Sequence, residues 1–142
     1  MKILEGQTAI VSGAARGIGA AIAKALAAEG ANVAVNDLRE PTETVQAICA
    51  MGRKAIPLVG DVSDQAAVEA MVQKCKEQLG PVSILVSNAA FSDRELFYQA
   101  NMDGFRKTID VCMWGPYYLA RAVANQMIDQ KIQGNMVFVS SP

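Results

Sequence analysis

Residues 12–19 read Ser12-Gly13-Ala14-Ala15-Arg16-Gly17-Ile18-Gly19, between an apolar run at 8–11 and an alanine-rich helical run at 18–28. Glycine lets the chain turn sharply there and lets a ligand approach the backbone, because no Cβ stands in the way. The helix that follows offers unpaired N–H groups and the positive end of its dipole, which suit a phosphate group. A glycine triplet in this strand–turn–helix context predicts a dinucleotide-binding turn.

Strand and helix patterns alternate along the rest of the chain. The runs at 84–86 and 136–139 are continuously apolar, which is typical of parallel strands covered by helices on both faces. We therefore predict an α/β fold, a Rossmann-type doubly wound parallel sheet truncated after its fifth strand, with the ligand crevice at the carboxyl ends of the strands. The predicted strands are Thr8–Ser12, Asn32–Asn36, Lys54–Val59, Val82–Ser87 and Met136–Ser140; the predicted helices are Ile18–Ala28, Pro41–Met51, a third one capped by Ser63 and ending before Gly80, and Asp103–Gln130 with a bend near Gly115-Pro116.

The composition indicates one globular domain over residues 1–142. Half of the residues (51%) are hydrophobic and the formal net charge is −1, so neither a nucleic-acid partner nor a membrane surface is indicated. The first residues do not read as a signal peptide, because Glu5 interrupts a short apolar run. No run reaches the length of a membrane span, and we expect a cytoplasmic protein.

The cysteines and the absence of histidine restrict the chemistry. Cys49, Cys75 and Cys112 form an odd, widely spaced set, for which we expect reduced, mostly buried thiols rather than a disulfide framework or a metal cluster. The 142 residues contain no histidine, which removes histidine-dependent nucleophilic catalysis and the commonest metal ligand. Acid–base chemistry would have to use Tyr, Lys, Asp, Glu or a water, and we predict no metal site.

Asp37 is the second indication of a nucleotide. It ends the second predicted strand, eighteen positions after Gly19. A carboxylate there accepts hydrogen bonds from the hydroxyls of the adenosine ribose and repels a 2′-phosphate, which favours NAD over NADP. Arg39, two residues further on, is less well placed to meet a 2′-phosphate. The alternative interpretation of Asp37 is a solvated loop aspartate.

The spacing GxxxGxG in residues 13–19 resembles the short-chain dehydrogenase/reductase family, classical type, with Ser12 in the place of the family's Thr. The resemblance extends along the chain. Asp61-Val62 matches the pair that borders the adenine in that family; the alternative is that Asp61 only helps to cap the next helix. Ser87-Asn88-Ala89-Ala90 is similar to the family's NNAG, and Asn88 is placed to bridge neighbouring strand ends.

This resemblance implies a set of site residues. Ser141, the second serine after the fifth strand, matches the catalytic serine, whose hydroxyl binds the substrate oxygen. Read without the family, Ser140-Ser141-Pro142 is an ordinary exit from a strand. The implied cofactor-binding residues are Gly13, Arg16, Gly17, Ile18, Gly19, Asp37, Leu38, Asp61, Val62, Asn88, Ala89 and Ala90.

Two departures from the family pattern stand out. Cys112 occupies the place of an Asn that supports a proton-relay water in the family, and a thiol is a weak donor and a poor acceptor; the alternative is a small thiol packed in a helix. The family's Tyr-x-x-x-Lys motif is absent, because Tyr98, Tyr117 and Tyr118 lack its spacing and precede the fifth strand. An open apolar edge at residues 136–139 would favour aggregation, with only Pro142 to blunt it. We therefore expect these residues to be the N-terminal part of a single, longer domain.

The resemblance implies an NAD-dependent oxidoreductase that transfers a hydride between nicotinamide and a secondary alcohol or ketone. The 142 residues by themselves are expected to be inactive, and the alternative is a nucleotide-binding fragment without activity of its own. A methyltransferase using S-adenosylmethionine is a third possibility, against which the glycine spacing argues. The apolar and aromatic positions of helix 103–130 exceed what one core face needs, which predicts self-association through this helix. The resemblance implies a homo-oligomer, dimer or tetramer.

Overall fold

Five parallel strands form one sheet with helices on both faces. A computed structural model describes residues 1–141, so Pro142 and its expected role at the sheet edge lie outside the described residues. The strands are β1 (Thr8–Val11), β2 (Asn32–Asp37), β3 (Ala55–Val59), β4 (Ile84–Ser87) and β5 (Asn135–Phe138), and the helices are α1 (Gly17–Ala28), α2 (Thr42–Ala50), α3 (Gln65–Leu79), α4 (Met102–Ile109) and α5 (Gly115–Gln130). The order β3-β2-β1-β4-β5 confirms the predicted doubly wound sheet.

The strands send alternate side chains into two separate cores. Val33 and Val35 of β2 pack on one face with alanines of α1, while Ala34 packs on the other face with the α3 and α5 side. Both faces of each central strand are therefore buried, which is why these strands read as continuous apolar runs. The strand order reverses between β1 and β4, so the carboxyl ends of these two strands diverge into a crevice.

The long helix is not a single regular helix bent at its proline. A π-helical turn, Asp110–Trp114, joins α4 to α5. Pro116 lacks an N–H, so it leaves the carbonyl of Cys112 without its α-helical donor, and its ring crowds that carbonyl. A widened turn just ahead of the proline relieves this conflict. The irregularity predicted near Gly115-Pro116 therefore lies in the turn before it.

Helix starts differ from the sequence-based expectation by one residue. Ser63 does not cap α3; Asp64 does, and its Oδ1 accepts a hydrogen bond from the N–H of Ala67 at 3.1 Å. Aspartate is as good a cap as serine, and only the tertiary path of the chain selects between neighbours. Pro41 is the N-cap of α2 rather than its first helical residue.

The edge of the sheet at β5 leaves apolar side chains partly exposed. At β5 the side chains of Val137 and Phe138 are about half exposed, and so is Val139 beyond the strand. This is the apolar edge that the sequence predicts.

Within residues 1–141 no helix combines the length and the apolarity needed to cross a bilayer.

The cysteines are less buried than expected. Cys75 of α3 is buried in the core, but Cys49 and Cys112 are exposed, so the prediction of mostly buried thiols is wrong. Cys49 lies on the outer face of α2, and Cys112 lies in the π-helical turn. Burial raises the pKa of the Cys75 thiol from 9.0 to about 12.

Because Cys75 is buried and the other two cysteines are exposed, we predict that two thiols react fast and one reacts slowly with a disulfide reagent at pH 8. The thiolate is the nucleophile, and at pH 8 the ionised fraction of Cys75 is about 10⁻⁴. Since the unfolded thiol ionises first as the pH rises, Cys75 also lowers the free energy of unfolding between pH 9.0 and about 12. A colorimetric thiol titration, native and denatured, measures this. Cys49→Ala removes a fast thiol and Cys75→Ala the slow one; three fast thiols in the folded chain would contradict the assignment.

Candidate functional site

The crevice at the switch point is closed at its base by contacts between the exits of β1 and β4. The buried Ser12 hydroxyl accepts hydrogen bonds from the N–H groups of Asn88 (2.9 Å) and Ala89 (3.1 Å). In return, the Asn88 amide donates to the carbonyls of Ser12 (3.1 Å) and Gly13 (3.2 Å). Asn88 therefore bridges the two strand ends.

The glycine turn approaches β4 so closely that side chains are excluded. Gly13 has φ +64°, and a Cβ there would lie 2.8 Å from the Cα of Ala89. Gly19 is helical, but its Cβ would lie 2.6 Å from the Asn88 amide nitrogen and would overlap the Gly13 carbonyl. The first and third glycines of the motif are thus required by backbone contacts, whereas Gly17 faces open space.

A cleft of about 550 Å³ opens above this base, at the carboxyl ends of β1, β2, β3 and β4. Every expected cofactor-binding residue except Gly19 lines it: Gly13, Arg16, Gly17, Ile18, Asp37, Leu38, Asp61, Val62, Asn88, Ala89 and Ala90. Gly19 lies beneath the turn, where it admits Gly13 and Asn88. Ile18 and Leu38 are large apolar side chains left exposed at the rim.

Asp37 lines the cleft and contacts the glycine turn directly. Its Oδ2 accepts a hydrogen bond from the N–H of Ala15 at 3.0 Å, and its Oδ1 accepts one from the N–H of Arg39 at 3.3 Å. Each carboxylate oxygen has a second acceptor position, so both remain able to bind a ligand hydroxyl. Asp37 is therefore partly buried and in contact with the turn, and its binding of a ribose stays a prediction.

Asp61 makes local contacts of its own. Its Oδ1 accepts hydrogen bonds from the N–H (2.9 Å) and the hydroxyl (2.7 Å) of Ser63. This arrangement shapes the turn before α3 but is not the helix cap, which is Asp64. The interpretation of Asp61 as the helix cap is therefore wrong, whereas its predicted role beside the adenine stays a prediction, since Asp61 and Val62 line the cleft.

Ser141 is exposed beyond the end of β5 and is not among the residues that line the cleft. The parallel pairing of Ser87 with Phe138 does bring the exit of β5 to the same edge of the sheet as the exit of β4. Tyr98, Tyr117 and Tyr118 do not line the cleft either.

Cys112 lies against the wall of the cleft. Its thiol donates to the carbonyl of Phe91 (3.3 Å), and the N–H of Phe91 donates to its sulfur (3.5 Å). The side chain thus holds the segment after β4 through both backbone groups of one residue. Lys107 of α4, four residues before Val111 of the π-helical turn, lies 4.4 Å over the Phe91 ring.

Several residues of the cleft were not predicted from the sequence as site residues: Asn36, Arg39, Gly60, Phe91, Lys107 and Val111. The pair Lys107 and Val111 has the i, i+4 spacing of one helix face, which is a usable signal once the helix is known to cross the cleft. Among residues 1–141, no group of three metal-ligating side chains is found.

The comparison with known families decides the identity. The family described as short chain dehydrogenase matches residues 7–142. The chain belongs to this family. The resemblance read from the glycine turn is therefore confirmed, and the methyltransferase alternative is excluded.

Curated members of the short-chain dehydrogenase family match nearly the whole chain. An L-rhamnose 1-dehydrogenase (NAD(P)(+)) from Sphingomonas sp. (strain SKA58) is 39% identical over 99% of this chain and 57% of its own length. Glucose 1-dehydrogenase 2 from Bacillus subtilis is 34% identical over 99% of this chain and 56% of its own length. Galactitol 2-dehydrogenase from Agrobacterium fabrum is 35% identical over 97% of this chain and 54% of its own length. The chain spans about half the length of these relatives.

Solved structures agree on the fold. A short-chain type dehydrogenase/reductase from Mycobacterium marinum superposes with a TM-score of 0.94 at 30% identity, over 97% of this chain and 57% of that one. A short chain dehydrogenase from Mycobacterium avium gives a TM-score of 0.94 at 28% identity, over 98% of this chain and 53% of that one.

Proposed function

We propose that these residues form the dinucleotide-binding part of a single short-chain dehydrogenase domain, and that the whole protein is an NAD-dependent oxidoreductase. The observation that carries the proposal is Asp37 at the exit of β2, which lines the cleft and is hydrogen-bonded to the glycine turn. The residues present fit a dinucleotide: a helix N-terminus without a side-chain cap for the phosphates, a carboxylate for the ribose and apolar side chains for the rings.

The preference for NAD follows from charge. The carboxylate of Asp37 repels a 2′-phosphate, and its bond to the Ala15 N–H holds it beside the turn. Arg16 and Arg39 also line the cleft, and their positive charges would serve a 2′-phosphate if Asp37 turned away. We propose NAD as the cofactor because Asp37 is fixed by two backbone N–H groups.

The reaction proposed is hydride transfer between the nicotinamide ring and a secondary alcohol or ketone. The cofactor supplies the hydride chemistry, and the protein holds it and orients the substrate oxygen. Ser141 is the proposed donor to that oxygen. The names of three relatives refer to a rhamnose, a glucose and a galactitol dehydrogenase, so sugars and polyols are the first substrates to assay.

The proton relay is the part of the reaction that this chain does not contain in a recognisable form. None of its tyrosines lines the cleft, and Lys107, which does, is placed over Phe91 rather than next to a tyrosine. We therefore propose that the 142-residue polypeptide alone binds nucleotide without turning over substrate. Cys112 anchors Phe91 with weak sulfur hydrogen bonds, which an asparagine amide would replace with stronger ones.

Replacing Asp37 with alanine should weaken NADH binding by about tenfold, because charge-assisted hydrogen bonds to the ribose are lost. The ratio of the affinities for NADH and NADPH should fall as well. Fluorescence titration of the whole protein with both reduced nucleotides measures this. Asp129→Ala, an exposed aspartate of α5 outside the cleft, is the matched control. Tighter binding of NADPH by the wild type would refute the role of Asp37.

Replacing Ser141 with alanine in the whole protein should lower kcat by about 10²- to 10³-fold, because the donor to the substrate oxygen is lost. Ser140→Ala is the matched control and should retain activity.

In the same assay Cys112→Asn should raise kcat, and the 142-residue polypeptide by itself should give no turnover. Equal losses for both serines, or ketone reduction by the mass-verified 142-residue polypeptide, would contradict this assignment.

The exposed aromatic face of the long helix should mediate self-association. This face consists of Phe105, Met113, Trp114 and Tyr117, all exposed, with the half-buried Tyr118 ring stacked on Trp114 at 5.8 Å. Light scattering should show a dimer or tetramer of the whole protein, dissociated by the double change Trp114→Lys and Tyr117→Lys. Met51→Lys, an exposed apolar residue beyond α2 on the opposite side of the sheet, should leave assembly intact. A monodisperse wild-type monomer at micromolar concentration rules this out.

A further inference from the structure

The glycine turn is held from behind by a side chain that does not line the cleft. Thr44, in the first turn of α2, is 3% exposed. Its hydroxyl donates to the carbonyl of Ala14 (2.9 Å) and reaches that of Ala15 (3.2 Å). The two partners are separated by thirty residues, so this contact exists only in the folded chain.

Thr44 and Asp37 hold opposite ends of one peptide group. The carbonyl of Ala14 and the N–H of Ala15 belong to the same planar unit. Thr44 binds that carbonyl from the α2 side, and Asp37 Oδ2 accepts from that N–H at 3.0 Å on the cleft side. The N–H of Ala14 is in turn fixed by the carbonyl of Asn36 at 2.8 Å. The peptide plane between Ala14 and Ala15 therefore has no free rotation.

The contact of Thr44 with the next carbonyl extends this control to the start of α1. The carbonyl of Ala15 shares a planar unit with the N–H of Arg16, the N-cap residue of α1. No side chain within residues 1–141 caps this helix, so the orientation of the preceding peptide groups determines where its unpaired N–H groups point. These N–H groups lie at the turn that faces the cleft.

We propose that Thr44 is a positioning residue of the dinucleotide site: its buried hydroxyl sets the orientation of the glycine turn before a nucleotide binds. The ligand's identity rests on the proposed function, but the ordering of the turn does not. Without the hydroxyl, the Ala14 carbonyl loses its donor, the Ala15 carbonyl loses its contact with that hydroxyl, and the turn samples orientations that binding must then remove. Affinity falls although no group in contact with the ligand has changed.

Three substitutions in the whole protein separate positioning from stability. Thr44→Val keeps the shape and removes the hydroxyl, and Thr44→Ser keeps the hydroxyl. Thr8→Val is the matched control, because Thr8 is also a buried threonine (2% exposed) whose hydroxyl donates to a backbone carbonyl, that of Leu79 at 3.0 Å. Thr8 begins β1 at the end of the sheet away from the cleft. The measurements are the melting temperature, the dissociation constant for NADH, and hydrogen exchange of the Ala15 amide without nucleotide.

We expect both valine variants to melt at a lower temperature, since each loses a buried hydrogen bond. Only Thr44→Val should raise the NADH dissociation constant, by about tenfold, and speed Ala15 exchange by a similar factor. In Thr44→Ser and in Thr8→Val, the NADH dissociation constant and the Ala15 exchange rate should both keep their wild-type values. If Thr44→Val does not fold, the pair Thr44→Ser and Thr44→Ala gives the same comparison of one hydroxyl.

Wild-type NADH affinity and wild-type Ala15 exchange in Thr44→Val would overturn the proposal. A wild-type protein that binds no dinucleotide would overturn the proposed function instead. In that case the Ala15 exchange rates still decide whether Thr44 orders the turn.

Discussion

The approach of two backbones at the switch point is the constraint on which the site depends. Gly13 lies against Ala89 at a distance that leaves no room for a Cβ, and Gly19 admits the Asn88 amide beneath the turn. Ser12 and Asn88 then exchange hydrogen bonds across the gap. Because diverging strands would otherwise leave these backbone groups unpaired, the crevice exists only where small residues and one amide close its base.

Polar side chains around the cleft already form hydrogen bonds with other groups of the protein. Asp37 binds the N–H groups of Ala15 and Arg39, and Asp61 binds Ser63. Each carboxylate oxygen keeps a further acceptor position, so a ligand adds hydrogen bonds to groups that are already ordered. A site arranged in this way loses little conformational entropy on binding, which is the physical meaning of preorganisation.

The two sides of the sheet present different surfaces. On the side of α1 and α2, small alanines let the helices approach the strands and the core closes on itself. On the other side, the long helix buries Leu119 and Val123 but leaves the aromatic face exposed, and β5 leaves Val137 and Phe138 about half exposed. These exposed apolar surfaces belong to a chain that spans about half the length of its curated relatives.

Local sequence determined the elements and the family. The strand–turn–helix pattern at residues 8–28 specified the first βα unit, and the continuous apolar runs specified buried parallel strands, because both patterns depend on neighbours in sequence. Residues at strand exits were predictable for the same reason: all carboxyl ends of a parallel sheet meet at one edge. Asp37, Asp61 and Asn88 therefore came from the sequence, and the structure places all three in the cleft.

The tertiary structure decided what depends on distant contacts. It selected Asp64 over Ser63 as a helix cap, exposed Cys49 and Cys112, and placed the irregular turn ahead of Pro116. It also brought Lys107 into the cleft and Thr44 behind the glycine turn, thirty residues from its partner Ala14. Helix and strand periods fix which face a residue occupies, but which other element packs on that face follows from strand order and crossover path, which no local pattern contains.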